Sequence, residues 1–325
     1  MSQQDNQNQR PAQGFKTMCG GQALIEGIMM RGPKKQAIVV RGPGGELEIQ
    51  EKELKLLKER YPVLGLPLIR GLVTFGDSMY NGVTALMYSA QFFPEEEEEE
   101  PSKFETWLSG RLGSERAGAF FTGLAVFLGM AISVGLFFLL PTLLGSAVMV
   151  VTPSMLARNL AESLLKILIF VAYLALCSRM GEMRRVFSYH GAEHKTIFCY
   201  EAGLPLTVEN VRKQPRHHPR CGTSFLFMVI AISILVSTVV FAIWPVSNPV
   251  LRFLAHLAML PLVVGVSYEV NRWAGRHDGG ITRLFIAPGL WLQNFTTFEP
   301  DDGMIEVGIR ALELVLPEER GEDAW

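Results

Sequence analysis

The stretch Ala117–Leu140, AGAFFTGLAVFLGMAISVGLFFLL, decides the fold. It carries no charged side chain, and as a helix rising about 1.5 Å per residue it is long enough to cross roughly 30 Å of hydrocarbon. Apolar character continues past Pro141 to Val151, so a hairpin of two short spans competes with one span ending near Leu140. Further along lie three more segments of this kind. They are Leu164–Cys177, reaching to about Met180 with Lys166 near one end, then Thr223–Trp244, then Leu251 to about Val270. Ile281–Phe295 is apolar but short, with Pro288-Gly289 in its middle, and reads as interfacial or re-entrant.

Charge asymmetry orients these segments. The connection between the second and third spans holds Arg179, Arg184, Arg185, Lys195, Arg212, Lys213, Arg216 and Arg220. By contrast, Pro141–Glu162 holds only Arg158, and Trp244–Arg252 only Arg252. Basic loops stay on the cytoplasmic side, so four spans with both termini inside satisfy every basic segment. Splitting the first block at Pro141 would add a crossing and push one basic region outside. The spans so drawn carry almost no buried charge and show no inverted repeat, which argues against a pump or secondary transporter.

The flanking regions are of other kinds. Residues 1–18 read as a disordered, Gln-rich cytoplasmic tail. Residues 19–93 form a cytoplasmic or interfacial α+β region. There Gln22–Met30 and Ala37–Arg41 are strand-like, Gly32-Pro33 and Gly42-Pro43-Gly44-Gly45 are turns, and Glu46–Gln50 alternates, predicting a small hairpin or meander. Glu51–Arg60 reads as a short charged helix, ended by Pro62 and Pro67. Ile69–Phe93 is either a helix in the membrane surface or one buried against the protein. Residues 94–102, with six consecutive Glu at Glu95–Glu100, are a solvated acidic linker.

The first two spans then occupy 103–180, a cytoplasmic His/Cys loop 181–222, the third and fourth spans 223–270, and a cytoplasmic C-terminal region 271–325. In the last, Asp301 or Asp302 caps a helix whose Ile305, Ile309, Leu312 and Leu316 form one apolar stripe, with Glu306 and Arg310 as an i,i+4 pair. The fold class expected is thus mainly α, a polytopic membrane protein with a small N-terminal β element and a C-terminal amphipathic helix. The formal net charge of -2 excludes a general nucleic-acid binder.

The candidate chemistry lies in the middle loop. A helix from about Met183 to Ala202, ended by Gly203 and Pro205, places His190, His194 and Glu201 on one face with Glu193 at its edge. Imidazoles one turn apart can grip a single divalent metal. His-x-x-Glu-His is the inverted form of the zinc-protease helix, in which the Glu is the general base. Nearby His217, His218 and Cys221 offer further ligands. The competing reading is a basic loop whose histidines bond carboxylates and anionic headgroups. Three further candidates lie outside this loop. His256 reads as a buried, hydrogen-bonded histidine, Glu269 as one member of an ion pair, and Glu26 as a carboxylate in an apolar strand, its neighbouring glycines explained by turn-and-strand structure.

Six motifs resemble those of the YqhQ-like family of bacterial membrane proteins. They are Gly20–Pro33 (GGQALIEGIMMRGP), Tyr189–Thr196 (YHGAEHKT), Cys199–Gly203 (CYEAG), His218–Phe225 (HPRCGTSF), Ala287–Gln293 (APGLWLQ) and Glu299–Asp302 (EPDD). The resemblance implies a multi-pass protein of the bacterial inner membrane with a metal-dependent activity. On that basis His190 and His194 hold a divalent ion, zinc first among candidates, and His218 or Cys221 completes the site. Glu201 is a fourth ligand or an acceptor for an imidazole N–H, and Glu193 polarises water as the catalytic residue. A hydrolase acting on a lipid-linked or membrane-protein substrate is expected. A non-catalytic scaffold with a structural metal or polar network is the alternative.

Overall fold

The computed structural model describes residues 15–54, 61–93, 114–277, 279–318 and 321–324. Its chain falls into two compact units, one made of Met1–Phe93, Tyr173–Ser233 and Leu260–Trp325, the other of Pro94–Ala172 and Ile234–Met259.

In the first unit, β1 (Gly20–Leu24), β2 (Gly27–Arg31), β3 (Lys35–Arg41) and β4 (Leu47–Glu53) form an antiparallel meander in sequence order. The apolar run Gln22–Met30 is therefore two strands and not one. It breaks at a tight turn where Glu26 takes a left-handed conformation, φ 49°. That backbone is held in place by contacts from outside the hairpin. The Glu26 carbonyl accepts from the Arg41 N–H at 2.8 Å, and its carboxylate pairs with Arg185 at 2.5 Å and accepts from the Tyr189 hydroxyl at 3.2 Å. Glu51–Glu53 extends β4 and the Leu54 N–H donates to the Lys34 carbonyl, correcting the expected charged helix; residues 55–60 of that helix lie outside the described residues.

The sheet is covered on both faces, which is why β2 and β3 read as near-continuous apolar runs. Ile28, Met30, Ala37 and Val39 pack with α5 (Gly181–Glu201) and α10 (Asp302–Val315). Leu24, Met29, Ile38 and Val40 pack with Ala85 of α1 (Ile69–Ala90). The C-terminal helix docks on this sheet as its stripe foretold, with Ile305 and Leu312 fully buried. Asp301 is its cap, accepting from the Met304 N–H at 2.9 Å. The expected Glu306–Arg310 pair does not form. Glu306 reaches Arg41 at 2.8 Å and Arg310 lies 3.8 Å from Glu313, because opposite charges from the sheet and the next turn are nearer.

Helix α1 is amphipathic in an inverted sense. Gly71, Asn81, Gly82, Ala85 and Ser89 face the protein, while Leu72, Phe75, Met79, Val83 and Leu86 are exposed. Its first turn fits against α8 (Pro249–Arg276) through Gly71, where a Cβ would lie 2.7 Å from Cβ of Tyr268.

Among the described residues, four helices are long and apolar enough to cross a membrane: Phe120–Val151, Met155–Cys177, Gly222–Ile243 and Pro249–Arg276. The first does not end near Leu140. Helix α2 (Ser114–Val134) passes through a π turn at Gly135–Leu139 into α3 (Leu140–Val151). The wider turn accommodates the ring and missing N–H of Pro141, so the chain continues without a hairpin. The second, α4, begins at Met155, not Leu164, which places Arg158 and Glu162 on a spanning helix. The expectation of spans almost free of buried charge is therefore overturned. Arg158, Glu162 and Lys166 of α4 and Arg252 and His256 of α8 are all buried. Helix α7 (Gly222–Ile243) matches the third span. Helix α9 (Gly280–Thr296) runs unbroken through Pro288 over the segment read as interfacial or re-entrant.

Candidate metal centre

Helix α5 carries the centre. His190 and His194 lie one turn apart with their rings edge-on, centroids 4.3 Å from each other and planes inclined by 61°. Each imidazole is oriented by a backbone carbonyl. His190 Nδ1 lies 2.8 Å from the Thr296 carbonyl and His194 Nδ1 2.5 Å from that of Arg216. A carbonyl only accepts, so each Nδ1 carries a proton, and whenever the ring is neutral its Nε2 presents a lone pair.

The Nε2 of His190 meets Cys221 Sγ at 3.1 Å, whereas the buried Nε2 of His194 has no hydrogen-bond partner. One ring nitrogen from each of His190 and His194 and the Cys221 Sγ lie within 4.8 Å of one another. Cys221 stands immediately before α7, and its sulfur accepts from the Thr223 N–H at 3.4 Å and hydroxyl at 3.3 Å. Burial disfavours its thiolate, but the two histidines beside it outweigh burial and hold the thiol well below its usual range. Burial likewise opposes charging of His190, yet the Cys221 sulfur, Glu193 and the Thr296 carbonyl push it up to about 9. Two neutral-donor imidazoles and a thiolate suit a divalent zinc-class ion, and the orphaned His194 nitrogen is what such an ion would satisfy.

Glu193 adjoins this group. One carboxylate oxygen accepts from the Gly21 N–H at 2.9 Å and the other lies 4.0 Å from His190 Nε2. Burial raises its pKa above the ordinary carboxylate range. Gly21 can come this close because it has no side chain; a Cβ there would sit 2.6 Å from the Met29 carbonyl oxygen. Gly191 plays a similar part on α5, since a Cβ would lie 2.0 Å from the Phe298 carbonyl oxygen.

The structure sets Glu201 and His218 apart from the three-atom group. Glu201 accepts from the Thr17 N–H at 2.8 Å and pairs with the Arg220 guanidinium, and His218 Nε2 lies 3.8 Å from its second oxygen. Burial opposes the Glu201 carboxylate, but His218, Arg220 and the Thr17 N–H together lower its pKa. The ring of His218 nevertheless lies alongside His194, centroids 5.5 Å apart. Its backbone is clamped by Gln293, which accepts from the His218 N–H at 2.7 Å and donates to the His218 carbonyl at 2.8 Å.

Of the outlying candidates, Glu269 pairs with Arg70 at 2.7 Å and Glu26 with Arg185, so neither joins the centre. His256 is buried and hydrogen-bonded to Glu162 at 2.6 Å. Thr296, Arg216, Gln293 and Gly21 give no signal of their part in the sequence, since most of them act through backbone groups.

A family described as "Protein of unknown function (DUF1385)" matches residues 66–318. The "Uncharacterized protein YqhQ" of Bacillus subtilis (strain 168) is 34% identical over 310 residues, which cover 91% of this chain and 92% of that protein. The chain belongs to this family. No solved structure matches it. The histidines, glutamates and cysteine of the centre fall within the matched span, as do all four apolar helices.

Proposed function

We propose that the chain is a metal-dependent membrane enzyme, hydrolase-like in class, of the bacterial inner membrane, with both termini and the centre on the cytoplasmic side. The observation that carries this reading is the pairing of two carbonyl-oriented imidazoles with Cys221, one buried Nε2 having no partner. His190, His194 and Cys221 would hold a divalent ion, which when bound supplies Lewis-acid chemistry to a hydrolysis. Three protein ligands with a free carboxyl group beside them are the donor set of an open catalytic site, whereas structural zinc is closed by four.

Glu193 is the proton carrier of this arrangement. Burial favours its neutral form, and the Gly21 N–H fixes one oxygen so that the other faces the His190 side. The Thr296 and Arg216 carbonyls orient the imidazoles, and Gln293 holds the strap that bears Arg216, His218 and Cys221. Cys221 heads a spanning helix, so a substrate reaching it would come from the membrane boundary. A lipid-linked molecule or a membrane protein fits that position.

One contact favours a second reading: a thiolate 3.1 Å from an imidazole is also the arrangement of a cysteine nucleophile and its base. Metal content separates the two. The full chain, purified in detergent without chelator, should carry about one equivalent of zinc-class metal, and His194→Ala should lose it. A parent with no metal, and a Cys221 alkylated by iodoacetamide at neutral pH, would sink the metalloenzyme and leave the nucleophile. Retention of metal by Glu193→Gln, together with failure to complement a strain lacking the gene, supports catalysis over a scaffolding role.

A further inference from the structure

The second unit holds a buried ionic cluster with an uneven count of charges. Glu162 accepts from Arg252 at 2.7 Å, lies 2.6 Å from His256 Nε2 and 3.4 Å from Lys166 Nζ, and accepts from the Thr142 hydroxyl at 2.9 Å. Arg252 also donates to the Asn159 side-chain oxygen at 2.6 Å. Arg158 finds only neutral partners: the carbonyls of Val246 at 3.3 Å and Ser247 at 2.9 Å, and the Ser146 hydroxyl at 2.8 Å. Two N–H donors are left over, Arg158 Nε and Arg252 Nη1, both buried and without a hydrogen-bond partner, although the Arg252 guanidinium lies over the Phe241 ring, 3.8 Å from its centroid. Arg158 is 1% exposed and Arg252 2%.

Among the described residues of this unit, two guanidinium groups and one ammonium group therefore face a single carboxylate. A guanidinium does not deprotonate in proteins, so even with Lys166 and His256 neutral one positive charge stays unbalanced. Such a charge in hydrocarbon-level surroundings is costly and is retained where it binds something. Arg158 lies at an end of the span, bonded to the α7–α8 connection, where Trp244 and Ser247 are exposed. Glu162 and Lys166 follow one and two turns farther along α4, about 6 and 12 Å deeper. The planar, forked donors of arginine suit phosphate oxygens.

We propose that this cluster is a binding site for one phosphate-type oxyanion, admitted at the Arg158 end and held by Arg158 and Arg252 with Lys166 beneath. The oxyanion is either the headgroup phosphate of an anionic lipid or free phosphate. It is a separate site from the metal centre and does not depend on that reading.

The test offers the full chain equal phosphatidylglycerol and phosphatidylcholine and reads retained lipid by native mass spectrometry. A second arm adds inorganic phosphate to the chain in neutral detergent and reads the thermal midpoint. The parent should retain the anionic lipid at least about tenfold over the neutral one, or be stabilised by phosphate, given what hydrogen bonds to charged groups contribute. The first result assigns a lipid, the second a free oxyanion. Arg158→Gln should abolish the preference. Lys166→Met, an apolar replacement that keeps the span, should weaken it severalfold and stands in if the first variant does not fold. No preference and no stabilisation in the parent, or a preference unchanged in both variants, overturns the proposal.

Discussion

The two polar clusters of this protein are opposites in hydrogen-bonding terms. Around His190, His194 and Cys221 each Nδ1 proton is given to a carbonyl, and the buried His194 Nε2 is left without a hydrogen-bond partner beside the sulfur. Around Arg158 and Arg252 the protein has used up the acceptors, leaving buried N–H groups with nothing to receive them. A buried polar atom without a partner costs free energy wherever it lies. The kind of atom left over tells what would relieve that cost: an electron-pair acceptor in the first case, an anion in the second.

The sharpest way to break this comparison is to exchange the readouts. His194→Ala should lower bound metal from about one equivalent to under a tenth while leaving oxyanion retention at the parent level. Arg158→Gln should do the reverse. Either variant moving both readouts would mean that the clusters are not independent, and the comparison would fail.

A second test concerns what each carboxylate is for. Glu162 is the one negative charge among buried cations, so Glu162→Gln should lower stability by about 3–5 kcal/mol in a denaturant or thermal unfolding series. Glu193 already leans toward its neutral form through burial, and an amide oxygen can still accept from the Gly21 N–H. Glu193→Gln should therefore cost under about 1 kcal/mol, with its effect confined to complementation. Equal losses in the two variants would erase the distinction.

How much of this was legible follows the same division. The four spans, the meander and the docking helix were readable because period and apolar run length report burial directly. His190 and His194 were readable because i and i+4 share a helix face. What places Cys221 beside His190 is tertiary, a strap pinned by Gln293 from another helix, and no spacing encodes it. The ionic cluster was passed over for a different reason. Arg158, Asn159 and Glu162 depress hydropathy, so the span seemed to start at Leu164. The recurrence of Arg158, Glu162 and Lys166 every four residues, and of Arg252 and His256 at the same interval, was the available signal of one polar face on a membrane helix.

Close backbone approach distinguishes the regions more gently. Gly191→Ala would place a Cβ 2.0 Å from the Phe298 carbonyl oxygen, where backbone must move, and should cost about 1–3 kcal/mol and reduce metal loading through the adjacent His190. In the second unit, Gly145→Ala would meet Glu162 Cβ at 3.1 Å. The Glu162 Cα is also only 3.4 Å away, so α4 must give by a few tenths of an ångström, far less than at Gly191, and a gain in helix propensity of up to about 1 kcal/mol offsets part of the strain. Thermal midpoints of the pair should differ clearly, with Gly191→Ala the lower.

The smallest effect belongs to an ion pair at the surface of the first unit. Arg212 and Asp302 join the short helix α6 (Val208–Arg212), just before the strap, to the start of α10, with side chains 56% and 59% exposed. Water already solvates both charges and ordinary salt screens them, so Arg212→Ala should cost less than about 1 kcal/mol. Raising the salt concentration should shrink the difference further. The Arg212 carbonyl, which accepts from Lys195 Nζ at 3.0 Å, is retained in that variant, so the strap stays tied to α5 and metal content should not change. A measurable loss of metal would show that the strap is held in register by this exposed pair and not by Gln293 and Lys195, and would shift the origin of the centre's geometry from its buried carbonyls to its surface.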